Sequence, residues 1–365
     1  MAKSFEDSLK RIYTLYASDL SLGEIERLIK RDAPGIYDFY LQEAEQPEKK
    51  QNRFERTLRT IGNLFTAFIR KLTPARRAVY FVILFFFSYA FFVGSWFWGG
   101  FSFLCLNILL AFELADKLLA KDELEVAREI QMGLMPKEAP KNLNYDIACF
   151  SEAAREVGGD YYDFIQPRQL PGTTFVVIGD VSGKGMGAAL RMVQVQAILH
   201  NLSERFSHPK EILQALDKNL RSILKLGSFF TVSMASINAD KKLHLCRAGH
   251  MPLIHYRKQE NACQEIIPPG IGVGLPECGK FDRELKQVDV KTKPGDILVF
   301  YTDGVVETMN SVKSEFGEER LKRVIITNAG KPAAEIQDAI LTAVAQFRGT
   351  APFHDDLTMI VMKVL

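Results

Sequence analysis

One long run of apolar positions dominates the hydropathy pattern, because the chain carries no charged residue from Ala78 to Phe112. A helix of this length would extend roughly 52 Å at about 1.5 Å per residue, too far for one crossing of a hydrocarbon core about 30 Å thick. The segment GSWFWGG at 94–100 interrupts the run with glycines and tryptophans, which suit an interfacial turn. The pattern predicts a two-span transmembrane hairpin over 78–115, with spans at 78–94 and 100–115.

Basic residues lie on both sides of this hairpin: Arg70, Lys71, Arg76 and Arg77 before it, and Lys117 and Lys121 after it. The loop between the spans has no charge, so the positive-inside rule places both ends in the cytoplasm. The sequence therefore predicts a multi-pass protein of the inner (cytoplasmic) membrane. The alternative is a buried helical hairpin of a soluble protein, but uncharged phenylalanine-rich runs of this length are rare in soluble cores.

The segments on either side of the hairpin have helical patterns. Residues 1–77 are expected to form a helical N-terminal cytoplasmic region, with short amphipathic helices predicted in FEDSLKRIYTLYASDL and LGEIERLIKRDAPGIYDFYL. This region is either a small regulatory or partner-binding module or a lead-in to the membrane. Residues 116–140 predict a linker helix, which Pro136 and Pro140 would end. Its apolar stripe could pair with a second copy in a homodimer or pack on the following domain: Ala120, Leu124, Ala127, Ile130 and Leu134.

Short apolar runs mixed with helical patterns characterise the remaining residues, 141–365. Strands are predicted in YDIACFSEA, TTFVVIGD, FFTVSMASIN, KLHLCRAGH, DILVFYTDG and LTMIVMKVL. Helices are predicted in MGAALRMVQVQAILHNL, PKEILQALDKNLRSILK, GEERLKRVII and AAEIQDAILTAVAQF. Because strands 229–237 and 242–247 follow one another as a hairpin, the pattern predicts an α+β domain with largely antiparallel sheets.

The overall composition argues against several functions. A net charge of +2 gives no indication of nucleic-acid binding. The five cysteines are scattered without a CxxC pair, so neither a zinc site nor a disulfide framework is expected. Ordinary buried cysteines in a reducing compartment fit this pattern.

The segment GDVSGKGMGAAL at 179–190 follows an apolar strand and opens a helix, as phosphate-binding loops do. A dinucleotide-binding reading fits Gly183, Gly185 and Ala188, but the region about 20 residues later offers no acidic residue at a strand end. A P-loop reading fails because the spacing is one residue short and Gly185 stands where a Ser or Thr should be. An acidic residue, Asp180, lies instead at the strand tip, where a carboxylate can bind a hard cation.

Three other acidic groups lie at strand edges in the same way. Asp160 and Asp163 follow a Gly-Gly turn, and Asp303, with Glu307 beyond it, follows the run LVFY. Asp355 and Asp356 directly precede the last strand. Convergence of these edges would form a cluster for two Mg²⁺ or Mn²⁺ ions. Zinc is disfavoured because few histidines lie nearby.

Taken together, GGDYYDF, GDVSGKGMGAAL, AGHMPLI, FYTDGVVE and DDLTMIVMK resemble the motifs of SpoIIE/RsbU-type phosphatases, a branch of the PP2C-like (PPM) serine/threonine phosphatases. The resemblance covers about residues 125–365, and AREIQMGLMP resembles the linker helix of that family. It implies an αββα sandwich of two antiparallel sheets with metal ions at one end.

The same resemblance implies roles for individual residues. Asp160, Asp180, Asp303 and Asp355 correspond to the metal ligands, and the Val181 carbonyl would add a further contact. Asp163, Asp356 and Glu307 would bind a third metal ion or support the ligands. Because no ligand position is replaced, an active enzyme is expected, with two metal ions activating the water that attacks phosphorus.

Several residues near these motifs have two possible roles, one functional and one structural or solvent-exposed. Arg155, Lys184 and Gly183 are candidates for substrate binding through the phosphate, although both cations could instead be solvated. His354 could protonate the leaving serine or simply face solvent. His250 is expected to be structural, with its ring bonded to the backbone between strands. Glycines 183, 185 and 187 are expected to let the backbone turn beside the metal ions.

The resulting hypothesis is a membrane-anchored, Mn²⁺- or Mg²⁺-dependent protein serine/threonine phosphatase. The resemblance implies a phosphorylated STAS-type anti-sigma-factor antagonist as its substrate, in a partner-switching pathway, with the linker helix relaying a signal in a dimer. The alternative is a phosphatase-like signalling scaffold that binds a partner and turns over little. A nucleotide-binding module is a more distant alternative.

Overall fold

The computed structural model describes residues 53–140, 144–223, 228–238, 242–275 and 279–365. The two amphipathic helices expected near the N-terminus lie outside these residues. The chain divides into two compact units, with the boundary between Leu118 and Leu119.

Three helices precede the first strand: α1 at Arg53–Lys71, α2 at Pro74–Val93 and α3 at Trp96–Leu134. Helix α3 is 39 residues long and continues through the domain boundary expected at residues 115 and 116. The predicted second span and the predicted linker helix are therefore parts of one helix. That helix ends at Leu134, because a proline at position 136 disfavours helical conformation in the residue before it.

Of the described helices, α2 is the one that is long and apolar enough to cross a membrane. This finding does not support the predicted multi-pass topology. The turn after α2 is also shorter than predicted. Gly94 adopts a left-handed φ of 67° and ends α2, and Trp96 already begins α3.

Helix α2 packs against the first part of α3. The rings of Phe86 and Trp98 stack with centroids 4.9 Å apart near the turn. At the opposite end of the pair, Arg76 forms an ion pair with Glu113 at 2.7 Å and a second one with Asp116. These contacts hold the two segments antiparallel along their length.

The second unit contains two five-stranded sheets in which all strand pairs are antiparallel. The strands are β1 Tyr145–Glu152, β2 Asp160–Ile165, β3 Thr174–Val181, β4 Phe230–Ile237, β5 Leu243–Ala248, β6 Leu253–Arg257, β7 Ala262–Ile266, β8 Gln287–Val290, β9 Ile297–Tyr301 and β10 Leu357–Val364. The first sheet has the order β1-β10-β9-β6-β7 and the second β2-β3-β4-β5-β8.

Helices cover the outer face of both sheets. Helices α4 (Met186–Ser203) and α5 (Pro209–Ile223) cover the second sheet, and α8 (Glu318–Asn328) and α9 (Ala333–Arg348) cover the first. Two short helices, α6 at Lys280–Glu284 and α7 at Asp303–Val306, complete the unit. The four-layer αββα arrangement confirms the predicted fold class.

The alternation of side chains along buried strands produces these layers. In β3, Val176 and Ile178 lie in the core between the sheets, whereas Phe175 and Val177 face α4 and α5. Each such side chain contributes roughly 1.5–3 kcal/mol when fully buried. The described cysteines are free, and Cys278 lies outside the described residues.

Candidate active site

Two of the predicted ligands lie directly opposite each other in the second sheet. Asp160 is the first residue of β2 and Asp180 is the penultimate residue of β3, and the antiparallel register pairs them. Asp160 is buried, with 4% of its surface exposed. The register therefore brings together two carboxylates that are 20 positions apart in the sequence.

Asp303 and Asp355 reach one edge of the first sheet for a similar reason. Asp303 follows β9, Asp355 precedes β10, and these two strands pair antiparallel. Burial and the charges of Asp303, Asp355 and Asp356 together raise the pKa of Asp180 to about 8. The structure thus places Asp180 within electrostatic reach of the other three predicted ligands, Asp160, Asp303 and Asp355.

The same crowding affects the other carboxyl groups. Burial, followed by the charge of Asp180, raises the pKa of Asp160 well above its usual value. Burial and the charge of Asp355 raise the pKa of Asp303. Glu307, beyond α7, also has a raised pKa, caused by burial and then by Asp303. A cation bound among these groups would relieve their repulsion.

Thr302 is a member of this site that the sequence did not reveal. Its Oγ1 donates to Asp160 Oδ2 at 2.8 Å and accepts from the Thr358 N–H at 3.0 Å. The hydroxyl links the two sheets at the ligand positions, and Thr302 is completely buried. The sequence does show a threonine directly before the strand-end residue Asp303. It does not show that the threonine hydroxyl bonds to Asp160, which belongs to the other sheet.

The two aspartates before β10 have different surroundings. Asp356 accepts hydrogen bonds from the N–H of Ala154 at 2.8 Å and of Gly159 at 2.7 Å. Both of its oxygens therefore hold the loop that leads to Asp160. Asp355 points instead to Lys184, whose Nζ lies 2.7 Å from Asp355 Oδ2 and donates to the His354 carbonyl at 2.7 Å.

The glycine-rich loop turns sharply between β3 and α4. Gly183 and Gly185 have φ values of 104° and 72°, which favour glycine. Gly187 lies inside α4, so the turn expected at that position is absent. Val181 ends β3 with its side chain buried, and its N–H donates to the Gly159 carbonyl at 3.2 Å.

A small pocket beside Asp355 collects the candidate phosphate-binding groups. Arg155, Lys184 and His354 line it, together with Asp355 and Asp356. Arg155 is exposed on the loop before β2. Two cations therefore lie beside the acidic cluster.

Asp163 lies on the other face of β2 from Asp160. It accepts hydrogen bonds from the Tyr161 hydroxyl and the Phe164 N–H, and its Oδ2 lies 2.7 Å from His200 Nε2. Residues three apart in a strand point to opposite faces, which separates Asp163 from the other carboxylates.

His250 is buried, and burial lowers its pKa to about 3. Its Nδ1 pairs with the Thr231 hydroxyl at 2.9 Å, and a backbone hydrogen bond with Tyr301 partly opposes the lowering of its pKa. Thr231 is the β4 residue in register with Asp180.

The last turns of α3 contact the loop before Asp160. Gln131 is buried and its side chain exchanges two hydrogen bonds with Gly158. The Tyr162 hydroxyl donates to the Pro136 carbonyl at 2.7 Å, and Gln196 Nε2 donates to the Leu134 carbonyl at 3.2 Å. The sequence did not reveal Gln131, which lies outside the apolar stripe.

The donors at this edge fit a divalent oxygen-seeking cation. They are carboxylates, with backbone carbonyls nearby, and ligands of this kind suit Mg²⁺ or Mn²⁺. Among the described residues, no three His, Cys, Asp or Glu side chains are already gathered closely around one point. The fit therefore depends on the donor chemistry and on the mutual repulsion of buried carboxylates.

Comparison with known proteins agrees with this geometry. The sequence profile of the family Stage II sporulation protein E (SpoIIE) matches residues 171–365. The phosphoserine phosphatase RsbU of Bacillus subtilis is 29% identical over 247 residues, which cover 67% of this chain and 70% of RsbU.

Two solved structures share the fold. The SiaA PP2C domain of Pseudomonas aeruginosa has a TM-score of 0.59 and 21% identity, and the match covers 68% of this chain and 98% of that domain. The structure of the PP2C phosphatase domain and a regulatory fragment of SpoIIE from Bacillus subtilis has a TM-score of 0.51 and 19% identity, covering 60% of this chain and 63% of that one.

An αββα sandwich with acidic residues gathered at one edge of its two sheets defines the PP2C-like class of phosphatases. The chain belongs to the SpoIIE family within this class. It is a protein serine/threonine phosphatase of the SpoIIE/RsbU type.

Proposed function

We propose that this phosphatase is anchored in the membrane, depends on Mn²⁺ or Mg²⁺, and removes phosphate from serine or threonine of a regulatory protein. A STAS-type anti-sigma-factor antagonist is the proposed substrate. The observation that carries the proposal is the pairing of Asp160 with Asp180 beside Asp303 and Asp355, where burial and mutual repulsion raise the pKa values of the first three.

The metal ions would be held by Asp160, Asp180, Asp303 and Asp355, with the Val181 carbonyl as a further donor. When bound, two such ions supply an activated water and charge stabilisation for the in-line displacement. Thr302 orients Asp160 through its hydroxyl. Asp356 accepts hydrogen bonds from two backbone N–H groups and so holds the loop before Asp160. Its proposed role is therefore to support the metal ligands.

Arg155 and Lys184 are the proposed contacts for the substrate phosphate, because both line the pocket beside Asp355. Gly183 would contribute to binding by giving the loop its left-handed turn, which keeps Lys184 at the pocket. His354 is exposed at the same rim, from where its ring could protonate the leaving serine oxygen.

We infer that helix α3 regulates the site. Gln131 contacts the residue two positions before Asp160, so a shift of this part of the helix would move a proposed ligand. A homodimer through the same helix is supported by apolar side chains that stay exposed: Leu119 (62%), Val126 (55%) and Ile130 (60%).

Membrane anchoring is supported by α2, and the antiparallel contacts of α2 with the first part of α3 favour a hairpin whose two ends lie on one side. The basic residues on both sides of the hairpin favour the cytoplasm as that side.

The test uses the full-length protein in nanodiscs and a STAS protein phosphorylated on serine. Phosphate release is measured with Mn²⁺, with EDTA, and for Asp180→Asn beside the exposed control Asp282→Asn. We expect release that needs Mn²⁺, survives in the control, and falls at least about 100-fold in Asp180→Asn. A folded protein that binds the STAS protein but releases no phosphate at any Mn²⁺ concentration would instead support the scaffold.

A further inference from the structure

Helix α1, directly before the proposed anchor, has a two-sided sequence. Apolar residues recur at alternating steps of four and three residues: Phe54, Leu58, Ile61, Phe65, Phe68 and Leu72. The other positions include five basic residues and a single acidic one, Glu55: the basic residues are Arg53, Arg56, Arg59, Arg70 and Lys71. A strongly amphipathic, basic helix of low average hydrophobicity is typical of helices that lie in a membrane interface.

The end of α1 is fixed to the start of α2 by one side chain. Arg77 donates to the carbonyl oxygens of Ile69 at 3.1 Å, Arg70 at 3.2 Å and Leu72 at 3.3 Å. These carbonyls lie at the C-terminal end of α1, where a cation is favourable. Two residues separate the helices, so the position of α2 in a bilayer sets the depth of α1.

The last part of the apolar stripe of α1 contacts the start of α2. The Phe68 ring lies 5.6 Å from that of Tyr80, and the Phe65 ring lies 6.3 Å from it. Tyr80 is in the second turn of α2, and Phe65 keeps 43% of its surface exposed. With α2 across the membrane, Phe65 and Phe68 would lie at the level where the headgroups meet the acyl chains.

We propose that α1 binds an anionic lipid surface, with its phenylalanine stripe in the acyl boundary and its arginines among the headgroup phosphates. This proposal rests on the proposed anchoring by α2. Charge complementarity selects the occupant, because the excess of basic residues matches a phosphate-bearing surface and is attracted to it. The juxtaposition of the stripe with the first turns of α2 gives the helix its orientation.

The experiment is amide hydrogen exchange on the full-length protein, with one copy per nanodisc. One nanodisc contains phosphatidylcholine alone, and the other also contains phosphatidylglycerol. We expect amides of α1 to exchange about tenfold more slowly with phosphatidylglycerol, and this slowing to disappear at high salt. Amides in the middle of α2 should be protected in both nanodiscs.

Two variants test the role of charge. Arg56→Gln/Arg59→Gln/Arg70→Gln should abolish the slowing in α1. The control changes three exposed basic residues of the second unit and should retain it: Lys218→Gln/Lys286→Gln/Lys291→Gln.

The outcomes distinguish lipid binding by α1 from membrane anchoring by α2. Protected α2 amides with no lipid-dependent change in α1 would overturn the lipid-binding helix and leave the anchor intact. Freely exchanging α2 amides would overturn the anchor, and the proposal with it. A parallel sample holds two copies per nanodisc. Slowing of α1 that appears only in that sample would assign the stripe to a second copy and overturn the lipid surface.

Discussion

Gln131 and Gly158 form two hydrogen bonds with each other: Gln131 Nε2 donates to the Gly158 carbonyl at 2.7 Å, and the Gly158 N–H donates to Gln131 Oε1 at 3.2 Å. The contact joins the end of α3 to the loop that positions Asp160. A glutamine is suited to this position because its amide group both donates and accepts.

Replacing Gln131 by leucine should damage both stability and metal use. The two buried groups of Gly158 would lose their partner, so we expect a loss of about 1–3 kcal/mol in the free energy of unfolding. A displaced Asp160 should raise the Mn²⁺ concentration for half-maximal activity. Denaturant unfolding and Mn²⁺ titrations check this, with the exposed Glu129→Gln as control. An unchanged Mn²⁺ requirement would show that the contact is only structural.

The role of the Thr302 hydroxyl can be tested by a substitution that hardly changes the volume of the side chain. Thr302→Val removes the donor to Asp160 and the acceptor for the Thr358 N–H, so we expect a loss of about 1–3 kcal/mol and a lower kcat. Ser236 is the matched control, because its buried hydroxyl has no hydrogen-bond partner among the described residues. Ser236→Ala should leave kcat unchanged and stability equal or higher. Equal kcat values for the two variants would show that the Thr302 hydroxyl has no role in the active site.

Two glycines should respond oppositely to alanine. A Cβ at Gly304 would lie 1.9 Å from the Asp356 carbonyl oxygen, so the loops around Asp303 and Asp356 would have to separate. We expect Gly304→Ala to cost at least about 3 kcal/mol and to abolish activity. Gly187 lies in α4 with nothing within 4 Å of a Cβ, and alanine there should add roughly 0.5–1 kcal/mol. Thermal unfolding of both variants checks the order.

The acidic cluster predicts an unusual dependence of stability on pH. The pKa of Asp180 is about 8 in the metal-free fold, above its usual value near 3.8, so the folded state retains a proton that the unfolded chain has released. The metal-free protein should therefore lose stability as pH rises from about 4 to 8. Asp180→Asn should flatten this dependence and be more stable near pH 8, although inactive.

Thermal unfolding in EDTA and in Mn²⁺ measures this effect. Because the ion binds the deprotonated carboxylates, its stabilisation should grow with pH over the same range. A metal-free protein whose stability rises steadily from pH 5 to pH 8 would contradict the raised pKa.

Much of the second unit could be predicted because its strands are long and apolar. All four helices expected there were found, and the six expected strands appear as β1, β3, β4, β5, β9 and β10. The other four strands are short or polar: β2 reads as a turn with carboxylates, and β7 and β8 are exposed or half-buried at sheet edges. Hydropathy alone does not distinguish such edges from loops.

Site prediction had a comparable limit. Acidic residues at strand ends gave four proposed ligands, because that position is visible in the sequence. The contacts of Thr302 and Gln131 depend on which strand and helix lie next to each other, which the pattern does not encode. Asp163 shows the converse: it follows Asp160 closely in the sequence but occupies the opposite face of β2, beside His200.

The ion pair between Lys184 and Asp355 predicts the order in which the metal ion and the phosphoprotein bind. The ammonium group of Lys184 forms an ion pair with Asp355 and also donates to the His354 carbonyl. An ion that takes over Asp355 would release this ammonium toward an incoming phosphate. Loading of the ion would then precede capture of the phosphoprotein, so a protein without metal should hold its substrate weakly as well as fail to hydrolyse it.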